Sequence, residues 1–232
     1  MSDKPPISER GAWSLAWQRF RHHKLAMASA ALLIVLAVLS AVAPLFEIMF
    51  GIDASRVDLL HRFTLPTTDA WLGRDELGRD VFVRMLYGGQ VSLLVGAVTA
   101  IAAAVIGTMV GLAAAYRGGW LDALLMRFTD AVIALPFLPL LIVLAAIDLN
   151  KLGIPPALIN SELISLYRII FIVALVGWTT SARLVRGAAL SIRERDFVLA
   201  ARAQGASAWR IMGVHILPNL VSPIIVATTL SA

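Results

Sequence analysis

Cysteine is absent from this sequence of 232 residues. Without it there is no disulfide framework, no thiol nucleophile and no cysteine-based metal site, and cysteine usage gives no indication of the redox compartment. The histidines do not have the spacing of metal ligands either, so no metal site is predicted. They are His22, His23, His61 and His215.

A phosphate-binding loop of the form G-x-x-x-x-G-K-[S/T] is also missing. The chain therefore does not bind and hydrolyse ATP by that device, and any ATP-driven work must be done by another polypeptide. No nucleophile or oxyanion-stabilising element accompanies the acidic residues, which argues against a hydrolase. We predict neither an enzymatic activity nor a cofactor for this chain.

Charge is scarce as well, because only 15% of the residues are charged and 59% are hydrophobic. With a mean hydropathy of +0.82, the chain is too apolar for an ordinary soluble domain and calls for membrane lipid as its surroundings. The formal net charge of +5 comes from 20 basic and 15 acidic residues spread between apolar runs. No single basic face is formed, so no nucleic-acid partner is predicted.

Long apolar runs are what the sequence does contain. A hydrocarbon layer about 30 Å thick requires roughly 20 helical residues, and five runs approach this length. They lie at about 25–46, 91–115, 123–147, 163–182 and 216–232. The first is too long for the apolar part of a cleaved signal peptide. The last stops without a flanking charge or turn, so we expect a fifth span that is cut off.

The distribution of Lys and Arg predicts the orientation. With a cytoplasmic N-terminus, the inside segments carry 13 of the 20 basic residues, as the positive-inside rule requires. In the segment 1–24, Trp13, Trp17 and Phe20 recur at helical spacing beside basic residues. This pattern predicts a short interfacial helix that either anchors in lipid or docks on a partner. The transmembrane domain then occupies residues 25–232.

The polar segment 183–215 is the longest predicted inside loop. Asp196 is a suitable N-cap for a short helix that ends at Gly205, where glycine accepts a left-handed backbone at little cost. Ser207 is a suitable N-cap for a second short helix through Trp209, and Pro218 lies just inside the next apolar run. Two short helices that meet at a glycine form an elbow, and such an elbow suits docking to a partner.

The run Ala200-Ala201-x-x-x-Gly205, followed by His215-Ile216-Leu217-Pro218-Asn219, resembles the "EAA" loop of binding-protein-dependent ABC importer permeases. In that family the loop forms a coupling helix that sits in a groove of the cytoplasmic ATPase. The resemblance implies coupling contacts at Ala200, Ala201, Arg202, Gly205, Ala206, Ser207 and Trp209. The sequence departs from the family pattern at Leu199, which replaces the glutamate that could have capped the helix.

A second motif lies before the second apolar run. The stretch 72–80 reads LGRDELGRD and is followed by Leu86-Tyr87-Gly88-Gly89, and both resemble the dipeptide and oligopeptide branch of these permeases. Arg74 stands where threonine is usual in that branch. The stretch 122–139 matches the branch too, and the resemblance covers most of residues 12–223.

The resemblance implies an all-α, polytopic membrane domain of the type I importer kind, with five visible spans and a sixth. It also implies a bacterial inner-membrane location and uptake of dipeptides or oligopeptides. The implied partners are a second homologous permease, two ATP-binding cassette subunits and an extracytoplasmic substrate-binding protein. Nickel or glutathione is an alternative cargo, and a channel or sensor without an ATPase is an alternative of another class.

Charges and prolines in the third apolar run are candidates for gating. Arg127 and Asp130 are three residues apart and are expected to pair on one helix face, either as a gate or as a simple boundary salt bridge. Pro136 and Pro139 predict a kink. Outside the membrane, Asp75, Glu76 and Asp80 are more suited to ion pairs with Arg74 and Arg79 than to a divalent cation.

Overall fold

The computed structural model describes residues 17–18, 20–148, 151, 155 and 162–231. The chain divides into two compact units, residues 1–93 and 94–232. Regular structure in the described part of the chain is helical, and an isolated antiparallel bridge between Arg74 and Asp80 is its one instance of strand-like pairing. The prediction of an all-α fold is confirmed.

The first unit begins with helical residues that include Trp17 and Phe20, whose rings stack with centroids 5.7 Å apart. Trp13, the other aromatic residue of the predicted interfacial helix, lies outside the described residues. Helix α1 spans Lys24–Ala41 and helix α2 spans Ala43–Phe50. The two helices are separated at Val42, just before Pro44, because proline belongs in the first turn of a helix and not in its interior. The predicted first span, 25–46, thus consists of α1 and the first half of α2.

The segment 51–80 has little regular structure apart from a 3-10 turn at Leu59–His61, but backbone hydrogen bonds hold it together. Asp58 N–H donates to Leu77 O at 2.9 Å and Phe63 N–H donates to Asp75 O at 3.1 Å. Gly78 has φ +74°, and a Cβ there would lie 1.8 Å from the Asp58 carbonyl oxygen. A side chain at position 78 is therefore excluded by both conformation and space.

Asp75 is the centre of the ion pairing predicted for this segment. One carboxylate oxygen accepts the N–H groups of Leu77 and Arg79, each at 2.9 Å, and the other accepts Arg79 Nε at 2.9 Å. Arg74 pairs instead with Asp58 at 3.6 Å. The prediction of local ion pairs is confirmed for Asp75 with Arg79 and wrong for Arg74, because the loop folds back and brings Asp58 closer.

Helix α3 spans Val81–Arg117 and begins ten residues before the predicted second span at 91. Asp80 explains the early start, because its side chain accepts the Val83 N–H at 2.9 Å and caps the helix. Within the first unit, Tyr87 Oη donates to Glu47 at 2.6 Å and Gln90 donates to Ser40 O at 2.6 Å. These bonds attach the first turns of α3 to α1 and α2.

In the second unit, helix α4 spans Gly119–Ala134 and helix α5 spans Phe137–Ala146. Their axes differ by 83°. Leu135 is extended, as the residue before a proline usually is, and Pro136 is the N-cap of the next helix. The predicted kink is confirmed at Pro136, whereas Pro139 is accommodated within the first turn of α5.

Helix α6 spans Glu162–Arg193 and so continues past 182, the predicted end of the fourth span, into the segment predicted as an inside loop. The helix continues for eleven more residues because three arginines there bind partners on α3 and α4. They are Arg183, Arg186 and Arg193. Helix α7 spans Asp196–Ala203. Helix α8, Ala208–Arg210, continues through a π turn (Ile211–Ile216) and a 3-10 turn (Leu217–Leu220) into helix α9, Val221–Ser231. The continuous helical segment that contains the last predicted span therefore begins at Ala208, eight residues before 216.

Helices α3 and α6 cross closely at Gly107 and Gly111. A Cβ at Gly107 would lie 2.7 Å from Trp178 O, and one at Gly111 would lie 2.4 Å from Ala182 O. The lack of a side chain at these two positions is what allows the two helices to approach so closely. In the described part of the chain, four helices are long and apolar enough to cross a membrane, or five if the bent pair α4 and α5 forms one span.

Candidate coupling surface and adjoining ion pairs

Helix α7 presents one buried face and one exposed face. Val198 is fully buried and Ala201 is nearly so, and both contact the hydrophobic core between α3, α6 and the last helix. Phe197 and Leu199 are exposed on the other side. Asp196 is the first helical residue, and Arg195 occupies the N-cap without a side-chain hydrogen bond, so the predicted capping by Asp196 is wrong. The chain turns into α7 through the Arg195 carbonyl, which accepts the Val198 N–H at 2.9 Å.

The C-terminus of α7 ends as predicted, at Gly205. This residue has φ +77°, the Gly205 N–H donates to Arg202 O at 3.0 Å, and the Ala206 N–H donates to Ala201 O at 3.1 Å. The two bonds form a Schellman motif, in which glycine takes the left-handed position. Ala201 and Ala206 thus hold the turn through backbone atoms, and Ala200 contributes its carbonyl to the Gln204 N–H at 3.0 Å.

Helix α8 begins at the predicted cap. Ser207 Oγ accepts the Arg210 N–H at 3.4 Å and Ser207 O accepts the Ile211 N–H at 2.9 Å. Ile211 is fully buried in the core, whereas the Trp209 side chain is 82% exposed. We call the exposed apolar side chains of α7 and α8, which are Phe197, Leu199 and Trp209, the elbow surface.

Two cationic side chains attach the elbow to the end of α3. The Arg202 guanidinium lies 5.6 Å from the centroid of the Tyr116 ring, within the range of a cation–π interaction. Arg193, at the end of α6, donates to Ala115 O at 2.6 Å. Together with the buried side chains of α7, these contacts hold the elbow against the helices of the second unit.

Two ion pairs join α4 to α6. Asp122 and Arg186 form a bidentate pair with N–O distances of 2.5 and 2.6 Å, and Asp130 pairs with Arg183. The predicted pair of Arg127 with Asp130 is therefore wrong, because a residue 53 positions away along the chain occupies the Asp130 carboxylate. Arg127 is exposed on α4, and Pro136 lies at the bend that follows. Sequence reasoning missed the role of Arg183 and Arg186; their i, i+3 spacing was the available indication.

An apolar cavity of about 520 Å³ lies among α3, α4, α5 and α6. Phe128 and Trp178 stack at its wall with ring centroids 6.0 Å apart. Every residue that lines it is apolar, so the cavity offers no polar group that would orient a charged ligand.

Comparison with known proteins shows to which family the chain belongs. Residues 105–232 match the family described as binding-protein-dependent transport system inner membrane component, which is more than half of the chain. The chain belongs to this family. Residues 11–55 also match the N-terminal TM domain of oligopeptide transport permease C. The family prediction from the elbow motif and the 72–80 motif is thus confirmed, and the protein is a multi-pass membrane permease.

Curated members of this permease family are similar over most of the chain. The oligopeptide transport system permease protein OppC of Bacillus subtilis is 34% identical over 99% of this chain and 70% of its own length. The dipeptide transport system permease protein DppC of the same organism is 36% identical over 93% of this chain and 62% of its own length. A glutathione transport system permease protein, GsiD of Pectobacterium atrosepticum, is 34% identical over 94% of this chain and 67% of its own length. The chain thus spans about two thirds of the length of these relatives.

Proposed function

We propose that this permease is a membrane-spanning subunit of an ATP-driven importer for dipeptides or oligopeptides. It works with a second, related permease, two ATP-hydrolysing subunits and an extracytoplasmic binding protein that delivers the peptide. Its N-terminus is cytoplasmic, which also places the elbow surface at the cytoplasmic side where the ATPases lie. The chain itself carries out no chemistry.

The observation that carries this proposal is the construction of the elbow. Helices α7 and α8 and the Gly205 turn between them are fixed by a buried core and by backbone hydrogen bonds, yet three large apolar side chains project from the two helices. Exposed apolar clusters on a rigid support mark sites of protein contact. The contact residues proposed are those of the family loop, with Arg202 partly engaged by Tyr116 and Trp209 as the most exposed side chain.

ATP-driven closure of the ATPase pair then moves the elbow, and the membrane helices follow because α8 is continuous with α9. The gating candidates Arg127, Asp130 and Pro136 lie on α4 and at its bend, and the ion pair of Asp130 with Arg183 connects that region to α6. A ligand or motor can shift such an equilibrium only through contacts that differ between the two states. An ion pair between two helices is a contact of that kind.

The test is co-purification of the tagged permease expressed with its neighbouring transporter genes. We expect an ATPase to co-purify, and we expect its activity to rise when peptide-loaded binding protein is added. A permease that purifies without any ATPase would instead support a channel or sensor.

Glutathione is the second candidate cargo, because a glutathione permease is among the similar proteins. Glutathione is itself a small peptide, so the same machinery serves for both. Stimulation of the ATPase by binding protein loaded with glutathione, but not with other peptides, would decide for this alternative. Nickel remains the less favoured cargo; the described residues hold no cluster of three or more metal-ligating side chains.

A further inference from the structure

The apolar cavity of the second unit is open on one side. Phe128, Leu135 and Phe171 line it, and all three side chains are exposed. The buried part of its wall is Trp178, which stacks on Phe128 and donates its indole N–H to Leu175 O at 2.8 Å. The only polar side-chain atom among the lining residues is thus bonded within α6. An open cavity of this composition, between helices of a membrane protein, is suited to hydrocarbon.

The cavity extends along α6 for less than the depth of one leaflet. The residues of α6 that line it run from Phe171 to Trp178, which is about 10 Å along a helix. The hydrocarbon layer is about 30 Å thick, so one leaflet contributes about 15 Å. A depth of about 10 Å corresponds to the acyl chain of a lipid in one leaflet, whereas a helix that crosses the membrane continues through both.

Two polar side chains lie on the cavity face of α6, just beyond the cavity. Arg168, Phe171 and Leu175 are at i, i+3 and i+7, so Arg168 lies one turn before the lining residues and on the same side of the helix. Tyr167 is exposed and precedes Phe171 by four residues, which places it on this face too. Tyrosine and arginine are side chains that reach from an apolar surface to the polar edge of a membrane.

The Arg168 guanidinium differs from the arginines in the other half of α6. Arg183, Arg186 and Arg193 each donate to an oxygen atom of α3 or α4. Within the part of the chain that the structure describes, no carboxylate pairs with Arg168, although the residue is half-buried. A guanidinium binds phosphate through two parallel hydrogen bonds, and a phenol can add a third. At the edge of a membrane, beside an apolar cavity, the phosphate at hand is that of a phospholipid.

We infer that this permease binds a phospholipid with a negatively charged headgroup, with the phosphate at Arg168 and Tyr167 and one acyl chain in the cavity among α3, α4, α5 and α6. The two residues offer no carboxylate to the ammonium of a zwitterionic headgroup, so phosphatidylglycerol is preferred to phosphatidylethanolamine. The inference requires only that the chain spans a membrane, and it depends neither on the cargo nor on the coupling to an ATPase.

The test is a titration with lipid. The tagged permease, expressed with its neighbouring transporter genes, is stripped of lipid in detergent. Phosphatidylglycerol or phosphatidylethanolamine is then added back, and the bound lipid is counted by native mass spectrometry. We expect one high-affinity phosphatidylglycerol for each copy of this chain, and weaker binding of phosphatidylethanolamine.

Two variants test the two parts of the site. Arg168→Gln removes the charged donor and is expected to weaken phosphatidylglycerol binding at least about tenfold, since a hydrogen bond to a charged group contributes about 1.5–3 kcal/mol. Leu175→Trp, at an exposed lining position, fills the cavity with a larger ring and is expected to weaken it similarly. Arg127→Gln is the matched control: it removes the same charge, but Arg127 is exposed and lies at least about 100° around α4 from the residues that line the cavity.

Three results would overturn the inference. The first is equal affinity of the unmodified and Arg168→Gln proteins for phosphatidylglycerol, and the second is equal affinity of the unmodified protein for the two lipids. The third is a Leu175→Trp protein that binds lipid normally but loses its second permease, which would assign the cavity to contact between subunits.

The unfolding temperature gives a second readout and shows that each variant is folded. A ligand that binds the folded state raises this temperature. We expect phosphatidylglycerol to raise it for the unmodified protein and for Arg127→Gln, but not for Arg168→Gln. An equal rise for Arg168→Gln would contradict the headgroup assignment. A permease that purifies without any ATPase would overturn the proposed function and leave both lipid measurements in place.

Discussion

Gly205 is the residue that fixes the direction of the elbow. Its left-handed backbone lets the N–H groups of Gly205 and Ala206 close the end of α7. Nothing lies within 4 Å of a Cβ placed on it, so a substitution there acts through backbone conformation and not through a clash. Position 205 therefore permits a clean test of the elbow geometry.

We predict that Gly205→Val uncouples transport. A residue other than glycine in this conformation costs about 1–2 kcal/mol, and a branched Cβ adds to the cost, so the turn opens and the elbow surface shifts. Gly205→Asn is the matched control, because asparagine tolerates the left-handed region. Peptide uptake in vesicles is the measurement. Uptake by the valine variant equal to that of the asparagine variant would contradict the coupling role.

Leu199 and Trp209 are exposed, but exposure alone does not show that they contact a partner. A substitution tests this. We predict that Trp209→Ala weakens association with the ATPase, because the largest exposed apolar side chain of the elbow is lost. Trp120→Ala, at the start of α4, is a control of the same type, since Trp120 is also exposed but lies off the elbow surface. Quantitative co-purification gives the result. An equal loss of ATPase from both variants would point to a general membrane defect.

At the scale of elements, the segment 51–80 is organised around Asp75. Burial raises the pKa of Asp75, but the N–H groups of Arg79 and Leu77 and the Arg79 guanidinium together outweigh it, so this pKa lies below its ordinary value. Likewise, the hydrogen bond with His61 is the main reason that the pKa of Asp58 is lowered. Both carboxylates favour the folded segment in their ionised forms.

The segment is therefore predicted to lose order in acid. Since the folded pKa of Asp75 is lowered, its contribution is complete above the unfolded value of about 3.8 and disappears as the pH falls through the lower folded value. Hydrogen exchange of the Leu77 and Arg79 amides, which donate to Asp75, reports this directly. Asp75→Asn is the control, in which these amides should exchange faster already at neutral pH. Protection that is independent of pH in the unmodified protein would contradict the prediction.

The two ion pairs between α4 and α6 give a second prediction at this scale. Arg186→Gln should lower the unfolding temperature in detergent more than Arg183→Gln does. Arg186 binds both carboxylate oxygens of Asp122, so its loss leaves a partly buried carboxylate unpaired. Arg183→Gln should instead reduce uptake with little effect on unfolding. The measurement is thermal unfolding of the two purified variants. The reverse order of unfolding temperatures would contradict the prediction that the less exposed pair contributes more to stability.

Local patterns in the sequence predicted α7, the Gly205 turn, the Ser207 cap and the break at Pro136, because each depends on a few neighbouring residues. They did not predict how far helices α6 and α8–α9 extend. The stretch 183–193 is rich in arginine and looks like a loop, yet a helix requires backbone hydrogen bonds and not apolar side chains. Partners such as Asp122 and Asp130, more than fifty residues away, decide the outcome, and one sequence does not contain that information in local form.

At the scale of the whole molecule, each of the two units contains one of the two motifs from which the family was predicted. The motif at 72–80 lies in the first unit, where Gly73 and Gly78 fit against the backbone of Thr64 and Asp58. The elbow motif lies in the second unit, where Ala201 and Ile216 pack in the core and Leu199 and Trp209 are exposed. The first motif is thus explained by the folding of the segment 51–80, and for the second we propose contact with a partner.

The continuity of Ala208–Thr229 has a mechanical consequence. A helix is stiff along its axis, so a push on Trp209 at one end displaces the membrane portion by the same distance. The π turn at Ile211–Ile216 is the wide, less regular part of this rod, and such turns often occur at functional sites. The last helix is therefore a continuous connection between the elbow and the apolar segment that follows it, with its least regular turns next to the elbow.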